Sequence, residues 1–77
     1  MRKKILVLGG GRVGSAIAYD LSIDYNVTIA DINNKILSNL KKQYNYNTLL
    51  SDFSNQTELN KIIQGYDLII SAVPGFM

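Results

Sequence analysis

Apolar residues recur along this chain in two alternating rhythms. Continuous runs at Lys4 to Leu8 (Lys-Ile-Leu-Val-Leu), Asn26 to Ala30 (Asn-Val-Thr-Ile-Ala), Asn47 to Ser51 and Asp67 to Val73 read as strands, rich in β-branched and Leu residues. The stretches between them carry apolar residues at helical spacing. From Arg12 to about Ser22, the residues Val13, Ala16, Ile17 and Leu21 make one predicted stripe. In a second helix Ile36, Leu37, Leu40 and Tyr44 face one way, with Lys35, Lys41 and Lys42 mostly on the polar side. In a third, Leu59, Ile62 and Ile63 form the predicted buried face. Asn33 or Asn34 is expected to cap the second helix and Ser54 or Asn55 the third, because a short side-chain oxygen accepts a free N–H of the first turn. Asn55 and Glu58 together resemble a capping box. Gly65 is expected to end that helix, and Pro74-Gly75 to close the last strand.

The order β-α-β-α-β-α-β predicts an α/β fold with a parallel sheet and right-handed crossovers. A Rossmann-like sheet with strand order 3-2-1-4 is expected, half of a doubly wound domain or slightly more. The 77 residues make one small domain, residues 1–77, below the usual size of ~100–150 residues. The fourth strand would be a bare apolar edge, and such edges invite aggregation. The expectation is therefore a truncated domain, the start of a longer protein. Self-association that covers the edge, giving a homo-oligomer, is the alternative.

The turn after the first strand carries the candidate chemistry. Gly9-Gly10-Gly11-Arg12-Val13-Gly14 has the form Gly-x-Gly-x-x-Gly, with a strand before it and a helix after it. Asp31 ends the second strand, twenty residues beyond Gly11. That combination is the sequence form of a dinucleotide-binding βαβ unit. Gly9 permits the sharp turn, Gly11 lets a pyrophosphate come close to backbone, and Gly14 lets the helix pack tightly on the sheet. Helix N–H groups and the positive end of the dipole then face the phosphates. Asp31 can accept hydrogen bonds from both ribose hydroxyls and would repel a 2′-phosphate. The next residues are Ile32, Asn33 and Asn34 rather than Arg or Lys, so NAD is favoured over NADP. Asp52 and Phe53 follow the third strand, where they either contact the adenine or merely build the turn into a helix. Ser71-Ala72-Val73-Pro74-Gly75 ends the fourth strand beside the first, where small residues leave room for the cofactor. The tyrosines (Tyr19, Tyr25, Tyr44, Tyr46, Tyr66) read as half-buried packing residues.

Composition removes other chemistries. With no Cys and no His, thiolate or imidazole metal sites, Cys or Ser–His nucleophiles and a histidine base are excluded from this chain. Eight Lys and Arg give a net charge of +2 but are spread along the chain, so no nucleic-acid face is expected. The apolar run after Arg2-Lys3-Lys4 is shorter than the ~7–15 residues of a signal peptide. No stretch approaches the ~18 apolar residues of a membrane span. A cytoplasmic, non-membrane protein is expected.

The stretch from Ile5 to Leu21 is similar to the N-terminus of saccharopine dehydrogenase-like proteins, and looks closest to their lysine dehydrogenase and saccharopine reductase branch. Val27-Thr28-Ile29-Ala30-Asp31 and Ser51-Asp52 fit the same pattern. Ala72-Val73-Pro74-Gly75-Phe76 resembles the Ala-x-Pro-Gly-Phe segment after that family's fourth strand. The resemblance covers the whole chain but only the first part of a family member. It implies a cofactor site at Gly9, Gly11, Arg12, Val13, Gly14, Asp31 and Ala72, Val73 and Pro74. It implies hydride transfer between a nicotinamide and a carbon bearing an amine, CH–NH or CH–NH2, on lysine or a lysine-derived amino-acid substrate. Substrate and catalytic residues would lie mostly beyond Met77, so the 77-residue chain alone is expected not to catalyse. The alternative is a nucleotide-sensing regulatory domain of the potassium-transport type, which the Ser51-Asp52 loop suits nearly as well.

Overall fold

The computed structural model describes residues 2–43 and 47–72. The elements are β1 (Lys4–Leu8), α1 (Arg12–Leu21), β2 (Asn26–Asp31), α2 (Asn34–Gln43), β3 (Asn47–Leu50), α3 (Gln56–Ile63) and β4 (Leu68–Ser71). The strands form one parallel sheet in the order β3-β2-β1-β4, as the alternation predicts. β3 and β4 are each shorter than the apolar runs suggested, and Val73 lies outside the described residues.

The β1 register places Leu8 opposite Ala30 on one side and opposite Ser71 on the other, so three strand ends come level beside the glycine turn. Strand alternation then divides the core in two. Ile5, Val7, Val27 and Ile29 face α1 and α2 and meet Ala18, Leu37 and Leu40. Leu6, Leu8 and Ala30 face the other way and meet Phe53, with α3 residues Leu59, Ile62 and Ile63 only half-buried against them. The predicted buried stripe of α3 is thus incomplete, because α3 is the one described helix on that face and its flanks stay open.

The first helix is turned from the predicted stripe. Its sheet-facing residues are Gly14 and Ala18, flanked by Ile17 and Leu21, whereas Val13 is 63% exposed and Ala16 is also exposed. The smallest side chains take the contact because they let the helix axis approach the strands. Tyr66 packs half-buried as expected, but Tyr19 and Tyr25 are exposed, and Tyr44 and Tyr46 lie outside the described residues. Gly65 follows α3 without the left-handed conformation of a glycine cap. At the foot of the sheet Asp67 pins β4 to β1. Its N–H donates to Lys4 O and its Oδ2 accepts from Lys4 N, both at 2.8 Å.

Candidate functional site

The glycine turn lies at the carboxyl end of β1, and each of its glycines meets a different constraint. Gly9 has φ 103°, a conformation that L side chains rarely adopt, and its N–H donates to Ala30 O at 2.8 Å. A Cβ added at Gly14 would lie 1.8 Å from Gly9 O, so Gly14 is what allows α1 to start directly over the turn. The same added atom would come 3.4 Å from the Cβ of Ala72, which puts Ala72 beside the turn as predicted. Val73 and Pro74 are outside the described residues. At Gly11 an added Cβ would meet nothing within 4 Å. That space is on the outer side of the turn, where a ligand could rest against backbone. Gly10, which carries no site role in the sequence reading, sits under α2, with Ile36 and Leu40 side-chain atoms 3.0 Å from where its Cβ would be.

The helix starts differ in a way that bears on ligand binding. At α3 the side chain of Asn55 accepts from Glu58 N at 3.2 Å. At α2 the Oδ1 of Asn33 accepts from Lys35 N at 2.9 Å and Ile36 N at 3.3 Å. Of the paired alternatives, Asn33 and Asn55 are therefore the caps. The Asn55 amide donates to Asp52 O at 3.1 Å, so only half of the predicted capping box forms. At α1 the cap residue is Gly11, which has no side chain, and no acidic residue stands in the first turn. The first-turn N–H groups of α1 are left for water or a ligand.

Asp31 joins these pieces. Its half-buried carboxylate accepts from Gly10 N at 2.7 Å through Oδ2 and from Asn33 N at 2.8 Å through Oδ1. Each carboxylate oxygen keeps a further lone pair for an incoming hydroxyl. A shallow groove of about 260 Å³ opens from the turn between α1 and α2, lined by Gly10, Gly11, Arg12, Ser15, Ile36 and Asn39 among others. Arg12, the first residue of α1, is exposed and is the one cation among the described residues that line this groove.

The third-strand loop contributes less. Phe53 is 9% exposed and belongs to the core cluster with Leu6, Leu8 and Ala30, so the suggested base contact falls away for this residue. Asp52 is exposed, and its Oδ1 accepts from the backbone N and the hydroxyl of Ser54, the geometry of the turn into α3. Ser51 N donates to Asp31 O at 3.0 Å, tying this loop to the second strand end. The Ser51 hydroxyl is buried with no hydrogen-bond partner. Among the described residues no helix is long and apolar enough to cross a membrane, and no group of three or more Asp or Glu could hold a metal ion.

A parallel sheet in this order, with an open glycine-capped helix at the first strand and a carboxylate at the second, defines a Rossmann-type domain of the dinucleotide-binding class. Comparison with known proteins carries this further. Residues 1–76 match the family model of the alanine dehydrogenase/PNT C-terminal domain. The chain is 35% identical over 77 residues to the mitochondrial alpha-aminoadipic semialdehyde synthase of Mus musculus, a match covering 95% of this chain and 8% of that protein. It is 30% identical over 74 residues to the shikimate dehydrogenase (NADP(+)) of Methanococcus maripaludis, covering 96% of this chain and 27% of that one. Its fold superposes on apo saccharopine dehydrogenase (L-Glu forming) from Saccharomyces cerevisiae with a TM-score of 0.82 at 28% identity, over 94% of this chain and 17% of that chain. A diketoreductase structure matches with a TM-score of 0.64 at 26% identity, over 97% of this chain and 33% of that one. The chain belongs to the alanine dehydrogenase/PNT C-terminal domain family and is saccharopine dehydrogenase-like.

Proposed function

We propose that this chain holds a nicotinamide dinucleotide on its glycine turn and serves as the cofactor-binding part of an amino-acid oxidoreductase. The observation that carries this reading is the contrast among the helix starts. Asn33 and Asn55 close α2 and α3 with side-chain oxygens, while Gly11 leaves α1 open and leaves free space where its Cβ would be. A pyrophosphate is the ligand that such a start suits, since it needs backbone N–H donors, a helix dipole and close approach.

In this reading Gly9 and Gly14 shape the turn, Gly11 bears against the pyrophosphate and Arg12 adds positive charge beside it. Val13, exposed on the first turn, presents its N–H group, and Ala72 bounds the site just after β4, with Val73 and Pro74 assigned to it by the family resemblance alone. Asp31, already aligned by two backbone donors, takes the adenosine ribose hydroxyls, and Asp52 lies toward the adenine. The carboxylate at Asp31 favours NAD over NADP, because it would meet a 2′-phosphate charge to charge. The bound nicotinamide supplies hydride transfer. The protein's own part is to orient it. The likeness to an alpha-aminoadipic semialdehyde synthase and to an L-Glu-forming saccharopine dehydrogenase supports an amino-acid substrate, for which we propose reaction at CH–NH or CH–NH2. The chain spans 8% and 27% of the two curated relatives described, so the activity of a whole enzyme is proposed only for a longer protein of this kind.

Titration of the chain with NADH, NADPH and ATP, followed by nicotinamide fluorescence and calorimetry, tests this reading. NADH is expected to bind most tightly. Binding of ATP alone, by a chain that melts cooperatively, would overturn the reading.

A further inference from the structure

The second helix start is as informative as the first, and it bears on cofactor choice. We infer that Asn33 is a specificity-determining residue that excludes a 2′-phosphate by occupying the amides that would hold it. This rests on the dinucleotide reading above and adds a second determinant to Asp31.

A ribose held by Asp31 would carry its 2′ oxygen at the turn from Asp31 to Ile36. A phosphate there needs donors, and the first-turn N–H groups of α2 are the donors that this turn offers. In the structure those of Lys35 and Ile36 are spent. Asn33 Oδ1 accepts from Lys35 N at 2.9 Å and from Ile36 N at 3.3 Å. The backbone N–H of Asn33 is spent as well, on Asp31 Oδ1 at 2.8 Å. A 2′-phosphate would therefore meet an anionic carboxylate and a carboxamide oxygen, each with its lone pairs turned on the amides the phosphate requires. Charge alone does not explain selectivity here. Lys35 follows on the same turn and Arg12 lines the groove between the helices, so cations are at hand. What the turn withholds is the N–H groups of Asn33, Lys35 and Ile36, each already given to a side-chain oxygen. α1 and α2 thus start in opposite states, one open to an anion and one closed to it.

The test compares the wild-type chain with Asn33→Gly and Asn33→Ser. Glycine removes the capping oxygen at a cost of only a few tenths of a kcal/mol, whereas serine keeps one. NADH and NADPH affinities are measured by nicotinamide fluorescence. Backbone amide shifts are followed by NMR during titration with adenosine 2′,5′-bisphosphate and with 5′-AMP. The expected result is a wild type that prefers NADH and an Asn33→Gly variant in which the preference narrows by roughly tenfold, the worth of a charge-assisted hydrogen bond. Asn33→Ser keeps the wild-type ratio. The Lys35 and Ile36 amides shift with the bisphosphate only in Asn33→Gly, and not with 5′-AMP. An unchanged NADH-to-NADPH ratio in Asn33→Gly, with binding retained, would overturn the role of Asn33 and leave the dinucleotide reading standing. Failure of the folded wild type to bind either nucleotide would overturn both.

Discussion

The backbone nitrogen of Gly10 lies 2.7 Å from Oδ2 of Asp31, across a sequence separation of 21 residues. The glycine turn and the end of the second strand are thus one unit. The carboxylate that would read the ribose also holds the turn that would receive the pyrophosphate. Asp31→Ala is expected to lose about 1–3 kcal/mol of stability, because the half-buried Gly10 N–H is left without its acceptor. NADH affinity should fall at least tenfold in the same variant. Thermal melts and fluorescence titration measure the two losses separately.

Gly11 and Gly14 should separate binding from folding. Gly11→Ala places its methyl in open space on extended backbone (φ −70°, ψ −165°), so stability is expected to change by about 1 kcal/mol or less. NADH binding should fall by tenfold or more, because the methyl would stand where the proposed pyrophosphate would rest. A Gly11→Ala chain that binds NADH as wild type does would contradict this.

Gly14→Ala should fail differently. Its methyl would need to pass a backbone oxygen at 1.8 Å, and relief requires lifting α1 off the turn. Overpacking costs about 1–3 kcal/mol and occasionally more, and a backbone clash this close belongs at the upper end, a large share of what a chain of this size possesses. Circular dichroism should show a lost or strongly lowered melting transition.

Asn55→Ala offers a control distant from the ligand. It removes the acceptor for Glu58 N and should cost about 1 kcal/mol, lowering the melting temperature by roughly 4–8 °C. NADH affinity of the folded chain should stay within twofold.

The Ser51 hydroxyl is buried and unpaired, so its removal relieves a desolvated polar group. Ser51→Ala is expected to leave stability unchanged or raise it by about 1 kcal/mol. A clear fall in the melting temperature would show that the hydroxyl makes a stabilising hydrogen bond in solution.

Much of this molecule was legible in the amino-acid order. Alternation of apolar rhythms is enough for the strand order, because parallel strands joined by right-handed crossovers leave few arrangements. The glycine spacing and Asp31 pointed to the candidate site, and the shape of its turn was legible because Gly9 and Gly14 answer constraints that belong to the turn itself. What escaped was contact across the sequence. Nothing around Gly10 announces that α2 will rest on it, or that its N–H will reach Asp31. The stripe of α1 was misplaced because periodicity ranks Val13 above Gly14 as a core residue. The sheet selects the smaller residue, because close approach there outweighs the area a valine would bury. Phe53 was ambiguous for a related reason: a strand-end aromatic looks alike whether it meets an adenine or Leu8.

The two faces of the sheet also differ in how they are held. On the side of the glycine turn, α1 and α2 bury Ala18, Leu37 and Leu40 against four strand residues. On the other side α3 is the one described helix, with none of its side chains fully buried. Local opening starts where few apolar contacts oppose it. Amides of α3 should therefore exchange with solvent well before those of β1, whose Leu6 and Val7 have no exposed surface. The domain is then rigid where it would grip a nucleotide and yielding behind it, so exchange in α3 should report local opening of that face while the grip stays intact.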